Sequence, residues 1–199
     1  PKTVLEVLRQ PLEDWNITVN RVNSTYTDPA KFVLVWAMNP CPCWYLTDPD
    51  KECICSNDQV KRYRARLSWP MLDRIDIFIE VPKVKTEDFS SKIDYSKVES
   101  SLQIKQRINN ARDIQLKRFS WLSITSNSQM STKEINKFCV LDEKSEEILK
   151  KAVSTMNLSA RAYYRILKLS RTIADLEWCE NIKVGHIAEA LSYRKAQDN

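Results

Sequence analysis

The stretch "NLSARAYYRILKLSRTIADLE", residues 157–177, decides the second half of the fold. Ser159 is a good N-cap, and the residues that follow it repeat at helical spacing along one face: Tyr163, Ile166, Leu167, Ser170, Ile173 and Ala174. Similar patterns predict helices at 96–119, 131–139, 142–156 and 183–194. We therefore expect an all-helical domain over residues 96–199, in which Cys139, Cys179 and His186 are packing residues.

Arg161 falls in the first turn of this predicted helix. A cation there opposes the helix dipole, at a cost of about 0.3–1 kcal/mol, unless an anion lies nearby. The position therefore suits a bound phosphate group. The alternative is a surface arginine paired with a neighbouring carboxylate.

The first part of the chain predicts an α/β layer. A helix over 3–14 is weakened by a proline, and a β-hairpin follows over 16–32. The continuous apolar run "FVLVWAM", residues 32–38, is typical of a strand buried on both faces. A helix over 58–67 and a second strand over 75–81 complete the layer, and the Ser-rich segment 83–95 reads as a linker.

Asn39 comes directly after the apolar run. The carboxyl ends of strands are where open α/β sheets place their ligand contacts, so Asn39 is a candidate site residue. The alternative is an asparagine that caps a loop.

Composition sets the outer bounds. The chain has 199 residues, 43% of them hydrophobic, and a formal net charge of +5. That is enough for a sizeable core, and the mild basic excess is compatible with phosphate or nucleic-acid partners. No apolar run is long enough to cross a membrane and the start does not resemble a signal peptide, so we expect a cytoplasmic protein without a membrane partner.

The cysteines of "NPCPCWYLTDPDKECICS" form two C-x-C pairs, Cys41 with Cys43 and Cys53 with Cys55. Four thiolates brought together by a loop match a tetrahedral structural zinc site. The usual zinc spacing is C-x₂-C, so the alternative is reduced thiols in a tight loop. A disulfide is not expected in the cytoplasm.

Two groups of basic residues are further candidates. The predicted helix "DQVKRYRARL" carries Lys61, Arg62, Arg64 and Arg66, which suit contacts with a nucleic-acid backbone or, alternatively, form a solvated or subunit-facing surface. Arg74 lies between Asp73 and Asp76. Its guanidinium could stabilise charge on a phosphoryl group of a neighbouring subunit, or it could make a structural ion pair.

Several of these segments together resemble one family. "VLEVLRQPLED", "AMNPCPC", "DPDKECICS", "QVKRYRARLSWPMLDRIDIFIEVP" and "LSARAYYRILKLSRTIADLE" are similar to the ComM/YifB group of magnesium-chelatase-like AAA+ ATPases, in the same order. The resemblance implies the carboxyl-terminal part of a longer protein. Residues 1–82 would be the second half of the AAA+ α/β core, with 83–95 as linker and 96–199 as the helical lid.

The resemblance also implies roles for the candidate residues. Asn39 would be the sensor-1 residue that positions the attacking water, Arg74 the arginine finger, and Arg161 the sensor-2 arginine of the lid. The family mechanism implies ATP hydrolysis with Mg²⁺ in a homo-oligomeric ring, expected to be a hexamer, coupled to DNA branch migration and recombination of incoming DNA.

One departure from the family pattern concerns the phosphate-binding loop. The sequence contains no G-x-x-x-x-G-K-[ST], and its single glycine, Gly185, falls in the last predicted helix. We therefore expect no ATP hydrolysis by these residues alone. Two other functions stay open: the ATPase subunit of a metal–porphyrin chelatase, and a non-hydrolysing binding module.

The second departure is the ratio of 6 tryptophans to 1 glycine, since ordinary usage predicts roughly 14 glycines in a chain of this length. Against the family pattern, glycine usually stands at every tryptophan position: Trp15, Trp36, Trp44, Trp69, Trp121 and Trp178. We hypothesise that the gene uses a stop codon reassigned to glycine, which has been translated as tryptophan.

Overall fold

The computed structural model describes residues 2–84 and 98–194. These residues form two compact units, one made of 2–75 and 80–84 and the other of 76–79 and 98–194. Most of the predicted linker, residues 85–95, lies outside the described residues, as do the first two residues of the helix predicted at 96–119 and the last five of the chain.

The first unit begins with two short helices, α1 (Lys2–Val7) and α2 (Arg9–Asp14), where the sequence predicts a single helix over 3–14. Pro11 explains the break, because its ring clashes with the carbonyl group four residues earlier, at Val7. In α2, Pro11 occupies the first turn, where its missing N–H leaves no helical hydrogen bond unmade.

The predicted hairpin is confirmed. Strands β1 (Asn16–Arg21) and β2 (Ser24–Pro29) pair antiparallel, from Asn16 opposite Pro29 to Arg21 opposite Ser24. They are the only paired strands in the described part of the chain, so the unit mixes helix with a small sheet.

The two other predicted strands do not form. Residues 30–39 and 76–84 belong to no described helix or strand, and most of their apolar side chains are exposed, including Val33 and Val35 at 88% and Val81 at 86%. Apolar alternation favours a strand only where a neighbouring backbone supplies hydrogen bonds and a cover for the side chains. Neither segment pairs with a strand among the described residues; the 76–84 segment has one backbone hydrogen bond outside itself, from the Phe78 N–H to the Tyr193 carbonyl at 2.9 Å.

Two further helices complete the first unit: α3 (Asn57–Arg64), predicted at 58–67, and α4 (Trp69–Leu72). The hydroxyl of Ser56 caps α3 by accepting the N–H of Gln59, whose side chain accepts the Ser56 N–H in return. This capping box fixes where the basic helix begins.

The second unit is helical, as predicted. It contains α5 (Ser101–Arg118), a 3₁₀ turn (Asn127–Gln129), α6 (Thr132–Phe138), α7 (Glu143–Thr155), α8 (Ala160–Leu176) and α9 (Val184–Ser192). Ser or Asp side chains cap the starts of α5, α6, α7 and α8. No helix in the described ranges combines the length and apolar character needed to span a bilayer.

Helix α8 is the centre of this unit, since α5, the 3₁₀ turn, α6 and α9 all pack against it. The face predicted from its spacing is buried at Ile166, Leu167, Ser170, Ile173 and Ala174, and Tyr163 is partly buried. Cys139, just beyond α6, packs in the same core. Cys179, which lies beyond α8, packs against this core too, so both cysteines are packing residues as predicted.

Three tryptophans have left-handed backbone conformations. Trp15 has φ 56°, Trp44 has φ 75° and Trp178 has φ 60°, and among the described residues only Asn157 shares this property. Trp15 ends α2, and Trp178 follows the C-cap of α8. These are positions where helices usually place glycine.

Candidate functional site

The two cysteine pairs come together in the first unit. The sulfur of Cys41 lies 3.4 Å from that of Cys43 and 3.7 Å from that of Cys53, and the Cys43 and Cys53 sulfurs are 3.5 Å apart. All four sulfurs, including that of Cys55, lie within 4.8 Å of one another. All six cysteines are free thiols in this structure.

A tight turn shapes the first pair. The N–H of Trp44 donates to the carbonyl of Cys41 at 3.2 Å. Trp44, the last residue of this turn, has a left-handed backbone conformation. A hydrogen bond from the backbone N–H of Tyr45 is the largest cause that lowers the pKa of Cys43, to about 6. Burial and the neighbouring Cys43 sulfur raise the pKa of Cys55 to about 12.

Asn39 is exposed and lines a cavity of about 380 Å³ in the first unit. Arg66 and Tyr63 line the same cavity. Its lining contains an amide and a guanidinium but no carboxylate, so these residues fit a phosphate group better than a Mg²⁺ ion.

The predicted basic residues lie on α3 and just beyond it. Lys61, Arg62 and Arg66 are exposed, whereas Arg64 is half-buried. Arg62 and Arg66 both line a cavity of about 570 Å³ whose walls also include Cys43 and Cys55. The guanidinium of Arg66 lies 5.0 Å from the ring centre of Tyr63. The cysteine cluster and the basic surface are therefore neighbours.

Arg74 is held by residues of α2 and α4 in the first unit. Its guanidinium pairs with Glu13 at 2.6 Å and donates to the carbonyls of Arg9 at 3.2 Å and Pro70 at 2.6 Å, and its side chain is only 10% exposed. The sequence left an ion pair with a flanking acid open, and the structure adds an ion pair with the more distant Glu13. Asp76 instead pairs with Arg165 in the second unit, at 2.5 Å.

Arg161 is the second residue of α8, as predicted. Ser159 caps the helix, since its hydroxyl accepts the N–H of Ala162 at 3.1 Å. Arg161 is half-buried. Asn39 and Arg161 belong to different units.

Sequence reasoning missed a charged cluster inside the helical unit. Arg118 donates to both carboxylate oxygens of Asp175, to one of them at 2.7 Å, and Arg171 donates to Asp175 at 3.1 Å. Asn127 completes the set with a 2.8 Å bond to Asp175. Burial lowers the pKa of Arg171. The available signal was the i, i+4 pair of Arg171 and Asp175 beside the apolar stripe of α8.

His186 takes the structural role that the sequence predicts. Its Nδ1 accepts the N–H of Lys183 at 3.0 Å, and its Nε2 lies 3.0 Å from Glu177. A neutral imidazole that accepts at Nδ1 carries its proton on Nε2, which then donates to Glu177. The geometry assigns this tautomer and joins the end of α8 to the start of α9.

Comparison with known families and proteins gives matches along almost the whole chain. The family described as magnesium chelatase, subunit ChlI, matches residues 1–89, and that described as magnesium chelatase, subunit ChlI C-terminal, matches residues 98–194. The chain is 42% identical to "Competence protein ComM" of Haemophilus influenzae and 37% identical to the uncharacterized protein YifB of both Salmonella typhimurium and Escherichia coli.

These identities extend over 97% of the chain, which spans 36% of the length of ComM and 37% of the length of each YifB protein. The residues matched by the two family descriptions fall on both compact units. The chain belongs to the ComM/YifB group of the magnesium-chelatase-like family.

Proposed function

We propose that this chain is the carboxyl-terminal part of an AAA+ ATPase that couples ATP hydrolysis to DNA remodelling, such as branch migration and recombination of incoming DNA. The observation that carries the proposal is the 42% identity to a competence protein over 97% of the chain. The family supports an ATPase type, and the basic surface of α3 supports a DNA partner. The whole protein would act in the cytoplasm as a ring, expected to be a hexamer.

The proposal gives Asn39 the task of orienting the attacking water. Its side chain is exposed at a cavity that also contains the Arg66 guanidinium, so a phosphate group there would meet both a cation and an amide. When bound, Mg²⁺ supplies charge neutralisation between the phosphates. Carboxylates for that ion would have to come from outside this cavity.

Arg74 would act across a subunit boundary as the arginine finger. Its present partners, Glu13 and the two backbone carbonyls, fix the direction of the guanidinium. A finger needs such support because its charge must be in place before the phosphoryl group is transferred. To reach a neighbouring nucleotide, Arg74 would exchange at least part of this set for phosphate oxygens.

Arg161 would contact nucleotide phosphate from the lid. It lies in the first turn of a 17-residue helix, where the backbone dipole also favours an anion. The helical second unit supports a lid role, because its core is self-contained.

ATP turnover by the full-length protein, with and without branched DNA, tests the proposal. We expect DNA to stimulate turnover. Asn39→Ala should lower turnover roughly tenfold or more while ATP binding is retained, because a poorly placed water loses reactive geometry. Asn20→Ala, an exposed asparagine in β1 of the same unit, is the matched control and should behave as wild type.

The second candidate is the ATPase subunit of a metal–porphyrin chelatase, which the descriptions of both matching families favour. This function needs no DNA. ATP turnover that ignores DNA but rises with a porphyrin and its partner subunits would replace the first proposal with this one. Turnover that responds to neither ligand would contradict both.

A further inference from the structure

The sulfur–sulfur distances in the cysteine cluster are those of a metal site. In a tetrahedral site with Zn–S bonds of about 2.3 Å, the sulfurs lie about 3.8 Å apart. The three distances that join Cys41, Cys43 and Cys53 are 3.4, 3.7 and 3.5 Å. A disulfide would bring two sulfurs to about 2.05 Å, so the cluster has the spacing of a tetrahedron and not of a covalent pair.

The surrounding chain is built to hold four sulfurs in one place. A turn closed by the Trp44 N–H presents the first pair, and the second pair ends directly at Ser56, the N-cap of α3. Cys41 is fully buried, and the other three cysteines are partly buried. No histidine or carboxylate belongs to the group.

The first unit also needs a cross-link of this kind. Among its described side chains, the buried apolar ones are few: Pro11, Cys41, Val60 and Met71. The extensive apolar cluster lies wholly in the helical unit. Regions without a sufficient apolar core are commonly stabilised by a metal or a disulfide, and the disulfide is absent here.

We propose that Cys41, Cys43, Cys53 and Cys55 bind one structural Zn²⁺. Binding forms four Zn–S bonds, and each cysteine that is still a thiol releases its proton to solvent, with no change of oxidation state. Four protein ligands leave no open coordination position, so the ion is structural and not catalytic. It ties the segment that carries Asn39 to the start of the basic helix α3.

The other cluster of candidate ligands, Glu177, Cys179 and His186, is not a second zinc site. The ring nitrogen of His186 that faces Glu177 carries a proton, because the opposite nitrogen accepts the Lys183 N–H. A metal would have to displace that proton and the hydrogen bond to Glu177 with it. Cys179 therefore offers a matched control thiol.

The test is the metal content of the full-length protein, purified under reducing conditions and measured by mass spectrometry of the elements. We expect one zinc per chain, loss of zinc in Cys41→Ser and Cys55→Ser, and full retention in Cys179→Ser. Cobalt substitution should give the absorption bands of a tetrahedral thiolate site. Circular dichroism of each variant shows whether it has folded.

If the cysteine variants do not fold, the wild-type protein decides the matter. Bound zinc should protect four thiols from a thiol-reactive dye until a strong chelator is added. Wild-type protein that is folded and reduced but stays free of zinc after incubation with zinc salts would overturn the proposal, as would iron in its place. None of these readouts depends on ATP turnover, so failure here is distinguishable from failure of the proposed function.

The tryptophans carry a second, independent inference. Three of the six have left-handed φ angles, a region that bulky residues rarely adopt. Five are exposed to 41% or more: Trp36, Trp44, Trp69, Trp121 and Trp178. Trp15 is half-buried. Tryptophan is normally retained for the area it buries, and none of these six side chains is fully buried.

We infer that the natural protein carries glycine at these six positions, translated from a reassigned stop codon. Mass spectrometry of peptides from the native source tests this. Peptides that contain residues 15, 44 and 178 should show the mass of glycine in place of tryptophan. Tryptophan at residue 44 in native peptides would overturn the inference.

Discussion

Two guanidinium nitrogens of Arg118 donate to the two carboxylate oxygens of Asp175, across 57 positions of the sequence. Asp175 is 1% exposed and also accepts hydrogen bonds from Arg171 and Asn127. Arg171 in turn donates to the carbonyls of Cys179 and Glu180, just beyond the end of α8. One buried carboxylate therefore organises α5, the 3₁₀ turn and the end of α8.

Asp175→Asn should strongly destabilise the helical unit. Two guanidinium groups would lose the one carboxylate that neutralises them, and removing one partner of a buried ion pair costs about 3–5 kcal/mol. Urea unfolding followed by circular dichroism measures the change. Asp113→Asn, at an exposed site on α5, is the control and should stay within about 0.5 kcal/mol of wild type.

Trp44→Gly and Trp178→Gly should each stabilise the protein produced with tryptophan. Holding a non-glycine residue in the left-handed region costs on the order of 1–3 kcal/mol, which glycine avoids. Trp121→Gly is the matched control, since Trp121 is similarly exposed but has no left-handed φ. Equal effects at all three positions would show that φ is not the cause.

Replacing Arg62 and Arg66 by alanine should weaken binding to DNA of any sequence. Each phosphate contact contributes about one unit to the slope of log affinity against log salt, so the double variant should lose about two units of slope. Fluorescence anisotropy over a salt series measures this. Lys144→Ala with Lys151→Ala removes equal charge from α7, and an unchanged slope is expected there.

Acid should weaken the helical unit through its caps. The nearby Ser145 side chain and the Ser145 N–H, which donates to Asp142 at 2.8 Å, hold the pKa of Asp142 below its ordinary 3.8, and bonds from Ser131 hold the pKa of Glu134 below its ordinary 4.5. Carboxyl groups with depressed folded pKa values stabilise fully above the unfolded values and lose that contribution as pH falls through the folded ones.

We therefore expect the free energy of unfolding to fall below about pH 4.5. Asp142→Asn combined with Glu134→Gln keeps hydrogen-bond acceptors but removes both titrations, so its stability should depend less on pH across that window. Unfolding curves recorded at several acidic pH values give the slope. An undiminished slope in the double variant would contradict this account.

The helices of the second unit were predictable because their signals are local. Ser159 and Asp142 cap the first turns, and the stripe of α8 follows its own spacing. The run at 32–38 shows the opposite case, since a strand depends on a partner that the run itself does not encode. The apolar character of Val33 and Val35 predicts a strand, but it cannot supply the hydrogen bonds to a partner strand.

The candidate site divides in the same way. The spacing of Cys41, Cys43, Cys53 and Cys55 predicted a cluster, and their sulfurs converge. The ion pair of Arg74 with Glu13 joins distant parts of the sequence. The sequence alone suggested only the flanking acids, Asp73 and Asp76, as partners. Asp175 was missed because the sequence does not show that Arg118 on α5 and Arg171 on α8 both donate to its buried carboxylate.

The exposure of the tryptophans decides how this protein can be observed. Indole emission reports folding when burial shifts its wavelength, but five of these rings already face water in the folded chain. Their fluorescence should change little on unfolding. If glycine is the natural residue, these 199 residues would contribute no indole fluorescence, and their near-ultraviolet absorbance would come almost entirely from the 7 tyrosines.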